Sequence, residues 1–363
     1  MPTSDQWLQV RKHLGQHRHA FAVQAADEYP DTPKLAGTPL LTSPLWTPAA
    51  PVPLDAIRLF RRAEHEFHGV TGAGDVATAQ LPDDDQGERF PRYSAAMAAL
   101  AAPAVFQNRS TYRLLSADLA KAHTMAFGAG TYFDGIDVGE ACAHEYAARE
   151  LGLVDGLALR QAVGDPCDPT RRPTNVAIST LTLRLDRTTG EATFFLHWRD
   201  PKRVGHAGGL YQVLPVGVFQ ASEDGPEHVD NDFSLWRSMI REFSEELLGT
   251  SEDHGGAVID YDAWPFAARF TAELGERVRV FYLGMGVDPL TLATDMLTAA
   301  VVDAPLFDEL FGDLVEANEE GRVLEAQAFT EDVVTRFVHD EPTQAAGAAL
   351  LALAWEHRGA LLA

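Results

Sequence analysis

Arg241-Glu242-Phe243-Ser244-Glu245-Glu246-Leu247-Leu248-Gly249 puts three carboxylates and a guanidinium within six residues, in a segment that reads as a helix. At about 100° per residue, Glu242, Glu245 and Glu246 leave one side of it within roughly a quarter-turn of each other. Phe233, Trp236, Ile240, Phe243 and Leu247 fall on the opposite side and predict a buried face. Carboxylates this close repel and raise one another's pKa unless a cation neutralises them. Hard oxygen ligands suit Mg2+ or Mn2+, which keep several waters and bind through a few carboxylates plus substrate phosphates. A solvated acidic helix face is the competing reading, since the chain is strongly acidic.

Upstream lies Gly209-Leu210-Tyr211-Gln212-Val213-Leu214-Pro215-Val216-Gly217, followed by Glu223. With the helix, this stretch resembles the Nudix hydrolase superfamily. That signature runs Gly, five residues, Glu, seven residues, then Arg-Glu-hydrophobic-x-Glu-Glu-x-Gly. Gly217 and Glu223 have the first spacing, and residues 241–246 supply the second half. The resemblance covers roughly residues 174–340. Three departures stand out: seventeen residues (224–240) separate Glu223 from Arg241, Val216 replaces a glycine, and an extra leucine precedes Gly249. Residues 224–232 are acidic and turn-rich, which predicts a bulging loop.

The 363 residues are 46% hydrophobic and 23% charged, the composition of an ordinary globular chain long enough for two domains. The net charge is -24, shared as 14 Lys/Arg against 21 Asp/Glu over residues 1–170 (-7) and 15 against 32 over residues 171–363 (-17). A field of that sign repels phosphate backbones and argues against nucleic acid as a partner. The two cysteines, Cys142 and Cys167, lack metal spacing and predict a reducing, cytoplasmic setting. The start of the chain lacks a basic-then-apolar signal layout, and the apolar run 345–354 is far too short to span a membrane.

The fold expectation is an α/β (α+β) chain in three parts. Residues 1–165 form a smaller α+β N-terminal region, 174–340 a Nudix-type mixed sheet flanked by helices, and 341–363 an apolar C-terminal helix. That last helix is expected to pack on a domain or on a second subunit, so a homodimer is open. Periodicity predicts helices over 5–29, 94–100, 137–151, 289–297, 305–317, 331–338 and 344–362. It predicts strands over 57–60, 111–115, 131–133, 176–185, 192–198, 264–270, 277–285 and 322–329. Asp137 is expected to cap the 137–151 helix, and residues 155–172 read as the linker. The alternation of 176–185 shifts phase near Thr180.

The resemblance implies hydrolysis of a diphosphate linkage in a nucleotide-like small molecule. Glu242, Glu245 and Glu246 would then hold Mg2+ or Mn2+, with Glu245 and Glu246 also acting in catalysis. Arg241 would orient one of the helix carboxylates, and Glu319 or Glu320 would supply the general base. Lys202, Arg203 and His206 form a positive cluster beside the motif and would meet substrate with Gly217 and Glu223. The N-terminal stretches 40–48, 108–113 and 127–133 look similar to segments flanking Nudix-like modules in actinobacterial regulatory proteins. A catalytically silent ligand sensor that regulates a partner is therefore the alternative to a hydrolase.

Overall fold

The computed structural model describes residues 2–62, 65–103, 106–199, 209–251, 255–312, 321–323 and 325–363, with only the backbone for 199 and 321–323. In chain order its strands are β1 (Val52–Pro53), β2 (Arg58–Arg61), β3 (Ser110–Asp118), β4 (Thr124–Thr131), β5 (Val176–Leu185), β6 (Ala192–Phe194) and β7 (Leu196–Arg199). There follow β8 (Tyr211–Val213), β9 (Val216–Val218), β10 (Val278–Val287), β11 (Thr294–Asp303), β12 (Gly321–Val323) and β13 (Gln327–Ala328). The main sheet runs β1-β10-β11-β5-β6-β13, and β9 also pairs with β5. Two three-stranded sheets accompany it, β12-β7-β8 and β2-β4-β3. The chain is thus mixed α and β with open mixed sheets.

β5 and β11 form the spine. They pair in parallel from Val176–Thr294 through Leu185–Asp303, while every other pairing of the main sheet is antiparallel. The phase shift at Thr180 has a simple cause: both faces of β5 are covered. Val176 and Ile178 join one core with Met296, Ala300 and Val302. Leu181, Leu183 and Leu185 join another with Leu297, Ala299 and Val301. Thr180 and Thr182 point with the even-numbered residues and are buried with partners, Thr298 Oγ1 at 2.9 Å and the Leu214 carbonyl at 2.8 Å. The helix carrying the acidic motif packs in the first core, and the helix Ala345–Glu356 in the second.

Five local expectations change. Residues 264–270 are not a strand but open the helix Pro265–Ala272, where Pro265 takes a first-turn position that costs no hydrogen bond. Residues 289–297 are not a helix. Asp288 Oδ1 accepts from the amides of Leu290 and Thr291, Leu292 takes a φ of 57°, and β11 begins at Thr294. β4 ends at Thr131, which forms a capping box with Asp134, so 131–133 start a helix instead of a strand. Asp137 lies inside that helical run, and its carboxylate accepts from Ser94 N at 2.7 Å in the first turn of the helix Tyr93–Leu100. The segment read as a linker contains the helix Ala158–Val163, with Arg160 buried and donating to the Leu290 carbonyl at 2.7 Å.

The N-terminal helix, Ser4–Ala25, starts at a Thr3–Gln6 capping box and lays Val10, Leu14 and Phe21 on Ala143, Tyr146 and Ala147. Arg11 reaches Glu140 at 2.6 Å, and both terminal nitrogens of Arg18 donate to the same carboxylate at 3.0 Å. His144 is buried below them, stacked on Trp7. Burial, helped by Arg11, pushes its imidazole down to about 3, so it is neutral at physiological pH. Among the described residues no helix is long and apolar enough to cross a membrane. Both cysteines are buried free thiols.

Glu140→Ala leaves two guanidiniums beside an uncompensated buried site. It should lower unfolding free energy by about 3–5 kcal/mol, read from urea denaturation midpoints, because removing one partner strands the others. A loss under about 1 kcal/mol would mean that the cluster does not fix the helix.

Candidate active site

Ser234 caps the motif helix by accepting from Arg237 N at 3.4 Å, and the helix runs Leu235–Glu242. A wider π-type turn, Phe243–Leu247, continues it to Gly249, whose φ of 67° ends it in the left-handed conformation favoured by glycine. Ile240, Phe243 and Leu247 are buried as their spacing predicts, whereas Phe233 and Trp236, expected on the same face, are only half-buried against that core. Glu242, Glu245 and Glu246 are half-buried, so the acidic side is not a solvated face.

Three elements meet that side. Glu246 Oε1 accepts from Val216 N at 2.9 Å at the start of β9. Gly217 follows, and its backbone lies so close to the Glu242 carboxylate that a Cβ there would overlap it. The chain then passes Gln220, Ala221 and Ser222, which line a small open cleft together with Arg109, Arg241, Glu242 and Glu245. Two of the three helical carboxylates therefore share the cleft, and the third holds its rim. Glu223 is half-buried next to Ser222 but is not part of the lining. Lys202, Arg203, His206, Glu319 and Glu320 lie outside the described residues.

Arg241 is buried. It donates to the Gln220 carbonyl at 2.6 Å and to Tyr261 Oη at 2.7 Å, and it pairs with Asp232 at 3.5 Å. Asp232 is fully buried and also accepts from Ser222 N at 2.7 Å and from the Tyr261 hydroxyl at 2.9 Å. Burial alone would raise the Asp232 pKa. Arg241, the Ser222 amide and the Tyr261 hydroxyl outweigh it and hold the group below its ordinary value. The carboxylate that Arg241 pairs with here comes from the end of the inserted segment.

That segment is not a bulging loop. Pro226–Asn231 is a helix, and it docks the N-terminal half on the site. Asp224 accepts from Ser110 N at 3.0 Å, the Tyr112 hydroxyl donates to the Val229 carbonyl at 2.8 Å, and Arg61 pairs with Asp230. Phe219 and Phe233 pack on Tyr112, and Phe127 packs edge-on against both phenylalanines. Arg109 enters the cleft because it immediately precedes β3, which bridges at Thr111 to Gln220. Sequence reasoning missed Arg109, Asp232 and Tyr261. All three are brought in by contacts between distant segments, and local spacing carries no mark of them.

The donor set suits a hard cation that shares its coordination with a ligand. Glu242 and Glu245 offer carboxylate oxygens to one polar cleft. Among the described residues no group of three or more His, Cys, Asp or Glu is disposed to hold an ion by itself. Mg2+ in phosphate chemistry is commonly held through one or two carboxylates plus the substrate's own oxygens.

Asp232→Asn should cost about 3–5 kcal/mol at neutral pH, since it strands a buried guanidinium. The native carboxylate has a depressed pKa, so its contribution is complete above about pH 4 and is lost as pH falls through the lower folded value. The stability gap between native protein and variant, measured by chemical denaturation, should therefore narrow between neutral pH and pH ~3. A constant gap would contradict the assignment. The chain matches no protein-family model and no curated protein.

Proposed function

We propose that the chain is a Nudix-type, metal-dependent hydrolase of a nucleoside diphosphate-linked small molecule. The observation that supports it is the common cleft of Glu242, Glu245, Arg109 and Arg241. Arg109 is half-buried at the cleft wall, and a guanidinium there can hold two phosphate oxygens at once. Arg241 stays locked to Gln220 and Tyr261, so its part is to fix the floor of the cleft and to add positive field. Gly217 keeps the space beside Glu242 open for its carboxylate. Glu242 and Glu245 would hold Mg2+ or Mn2+, with Glu246 setting the rim through Val216. When bound, such an ion neutralises diphosphate charge and acidifies a water.

A catalytically silent sensor is the second reading. It is favoured by Glu246, whose carboxylate serves the Val216 amide, and by the N-terminal segment that walls the cleft at Arg109. In that reading a nucleotide-like ligand closes contacts between the two halves without being cleaved.

The deciding experiment incubates the protein with Mg2+ or Mn2+ and a panel of nucleotide sugars, dinucleotides and nucleoside triphosphates. Release of a nucleoside monophosphate or of phosphate is expected, reduced at least about a hundredfold by Glu245→Gln, as befits loss of a metal-held carboxylate. Thermal stabilisation by a nucleotide without turnover would replace hydrolase by sensor. Neither turnover nor stabilisation would remove both.

A further inference from the structure

The N-terminal helix carries a pair of imidazoles that takes no part in the cleft. His13 and His17 stand four residues apart on Ser4–Ala25, and positions i and i+4 of a helix share one face. Their ring centroids are 4.3 Å apart, with the planes inclined by 47°. Both rings lean on Phe21, His13 edge-on at 5.3 Å and His17 stacked at 5.5 Å. Phe21 is itself buried and packs on Tyr146, so the pair rests on a fixed base. His13 is half-buried and His17 exposed, which leaves the pair open to solvent on its outer side.

A second observation sets the chemistry. His17 Nδ1 lies 3.0 Å from the His13 carbonyl oxygen, which can only accept, so Nδ1 carries the proton. The lone pair of a neutral His17 is therefore on Nε2. Donating one ring N–H to a backbone carbonyl while the other nitrogen stays free is how metal-binding imidazoles are oriented. Burial, and then repulsion from His17, push the His13 pKa below its ordinary value against the pull of Glu150, so His13 is neutral at pH 7. Distance decides whether one ion can span the two rings. An ion about 2.0–2.1 Å from one nitrogen of each ring, with its two bonds at right angles, places the centroids about 4.5 Å apart. The observed separation is close to that value. Right-angled bonds to nitrogen and water suit Cu2+ and Ni2+, whereas Mg2+ prefers oxygen. Among the described residues no third His, Cys, Asp or Glu joins the pair, so water completes the coordination. The net charge of -24 draws cations to the surface as a whole.

We propose that His13 and His17 form a two-imidazole binding site for a late first-row divalent cation, with Cu2+ held most tightly and Ni2+ and Zn2+ less so. The site is separate from the carboxylates of the cleft and does not depend on their role. Chelation across one helical turn ends one residue before Arg18, whose guanidinium ties the same helix to Glu140. The ion would thus stiffen the segment that docks the N-terminal helix.

Titration of the intact protein with Cu2+, followed by calorimetry and by electron paramagnetic resonance, tests the inference. A site with a Kd of about 10–100 µM is expected, with two nitrogen ligands in the spectrum. Ni2+ and Zn2+ should compete for it more weakly, and Mg2+ should not. His13→Gln and His17→Gln keep good helix formers and leave one imidazole, so each should weaken the site about tenfold or more. His19→Gln, on another face of the helix, and Glu245→Gln, in the cleft, should leave the affinity unchanged. No Cu2+ bound below about 1 mM, unaltered affinity in either His13→Gln or His17→Gln, or an equal loss in His19→Gln or Glu245→Gln would overturn the inference.

Discussion

A pair of parallel strands buried on both faces needs two covering layers, and the rest of the architecture answers that need. Along β5 and β11, even-numbered side chains such as Ile178, Met296 and Val302 enter one core, and odd-numbered ones such as Leu183, Leu297 and Val301 enter the other. Ile240, Phe243 and Leu247 supply part of the first cover, and Ala349, Leu350 and Leu353 part of the second. Seating that first apolar stripe fixes the rotation of the motif helix about its own axis. Its carboxylates then emerge away from the core and beside β9, which is itself paired to β5. The cleft sits where it does because the sheet sets both of its walls.

Two buried charge clusters hold segments that the sheet alone would leave loose. Asp232, Arg241 and Tyr261 tie the insertion, the motif helix and the stretch before Pro265. Glu140, Arg11 and Arg18 tie the N-terminal helix to the next long helical run. Such pairs gain little net free energy over apolar packing, because each charge loses its hydration on burial. Breaking one member is costly, and that asymmetry makes them devices of registry. In both clusters the arginines are matched to one carboxylate that no apolar contact could replace in position.

What the sequence revealed follows the range of the physics. Local periodicity located β5 to the residue and the buried part of the motif helix at Ile240, Phe243 and Leu247, since each depends on neighbours within a few positions. The same reading failed at 289–297, where Leu, Ala and Met suit a helix and pairing with β10 on one side and β5 on the other makes residues 294–303 a strand. At 264–270 the aromatic residues suggested a strand, although Pro265 and the spacing of Phe266 and Phe270 already carried the helical signal. The cleft was half visible: Glu242 and Glu245 could be named from spacing. Arg109 and Asp232 could not, because they arrive through a bridge at Thr111–Gln220 and a docking helix inside the insertion.

The insertion and the N-terminal half, separately unexplained by the motif, explain each other. Residues 224–232 offer Asp224, the Val229 carbonyl and Asp230 to Ser110, Tyr112 and Arg61. A shorter segment between Glu223 and the motif helix could not present all three. The same docking brings β3, and with it Arg109, to the cleft edge. For an anionic ligand this placement matters, since the chain carries a net charge of -24 and its distant field is repulsive. Salt screens that field beyond about 8 Å under physiological conditions, so capture falls to the guanidiniums lining the cleft itself. Arg241 is held by Asp232 and Tyr261, and Arg109 reaches the same cleft from the N-terminal half. Under the proposed reading, binding of an anion would depend on the docked arrangement of both halves, and loosening the insertion from Tyr112 would weaken it.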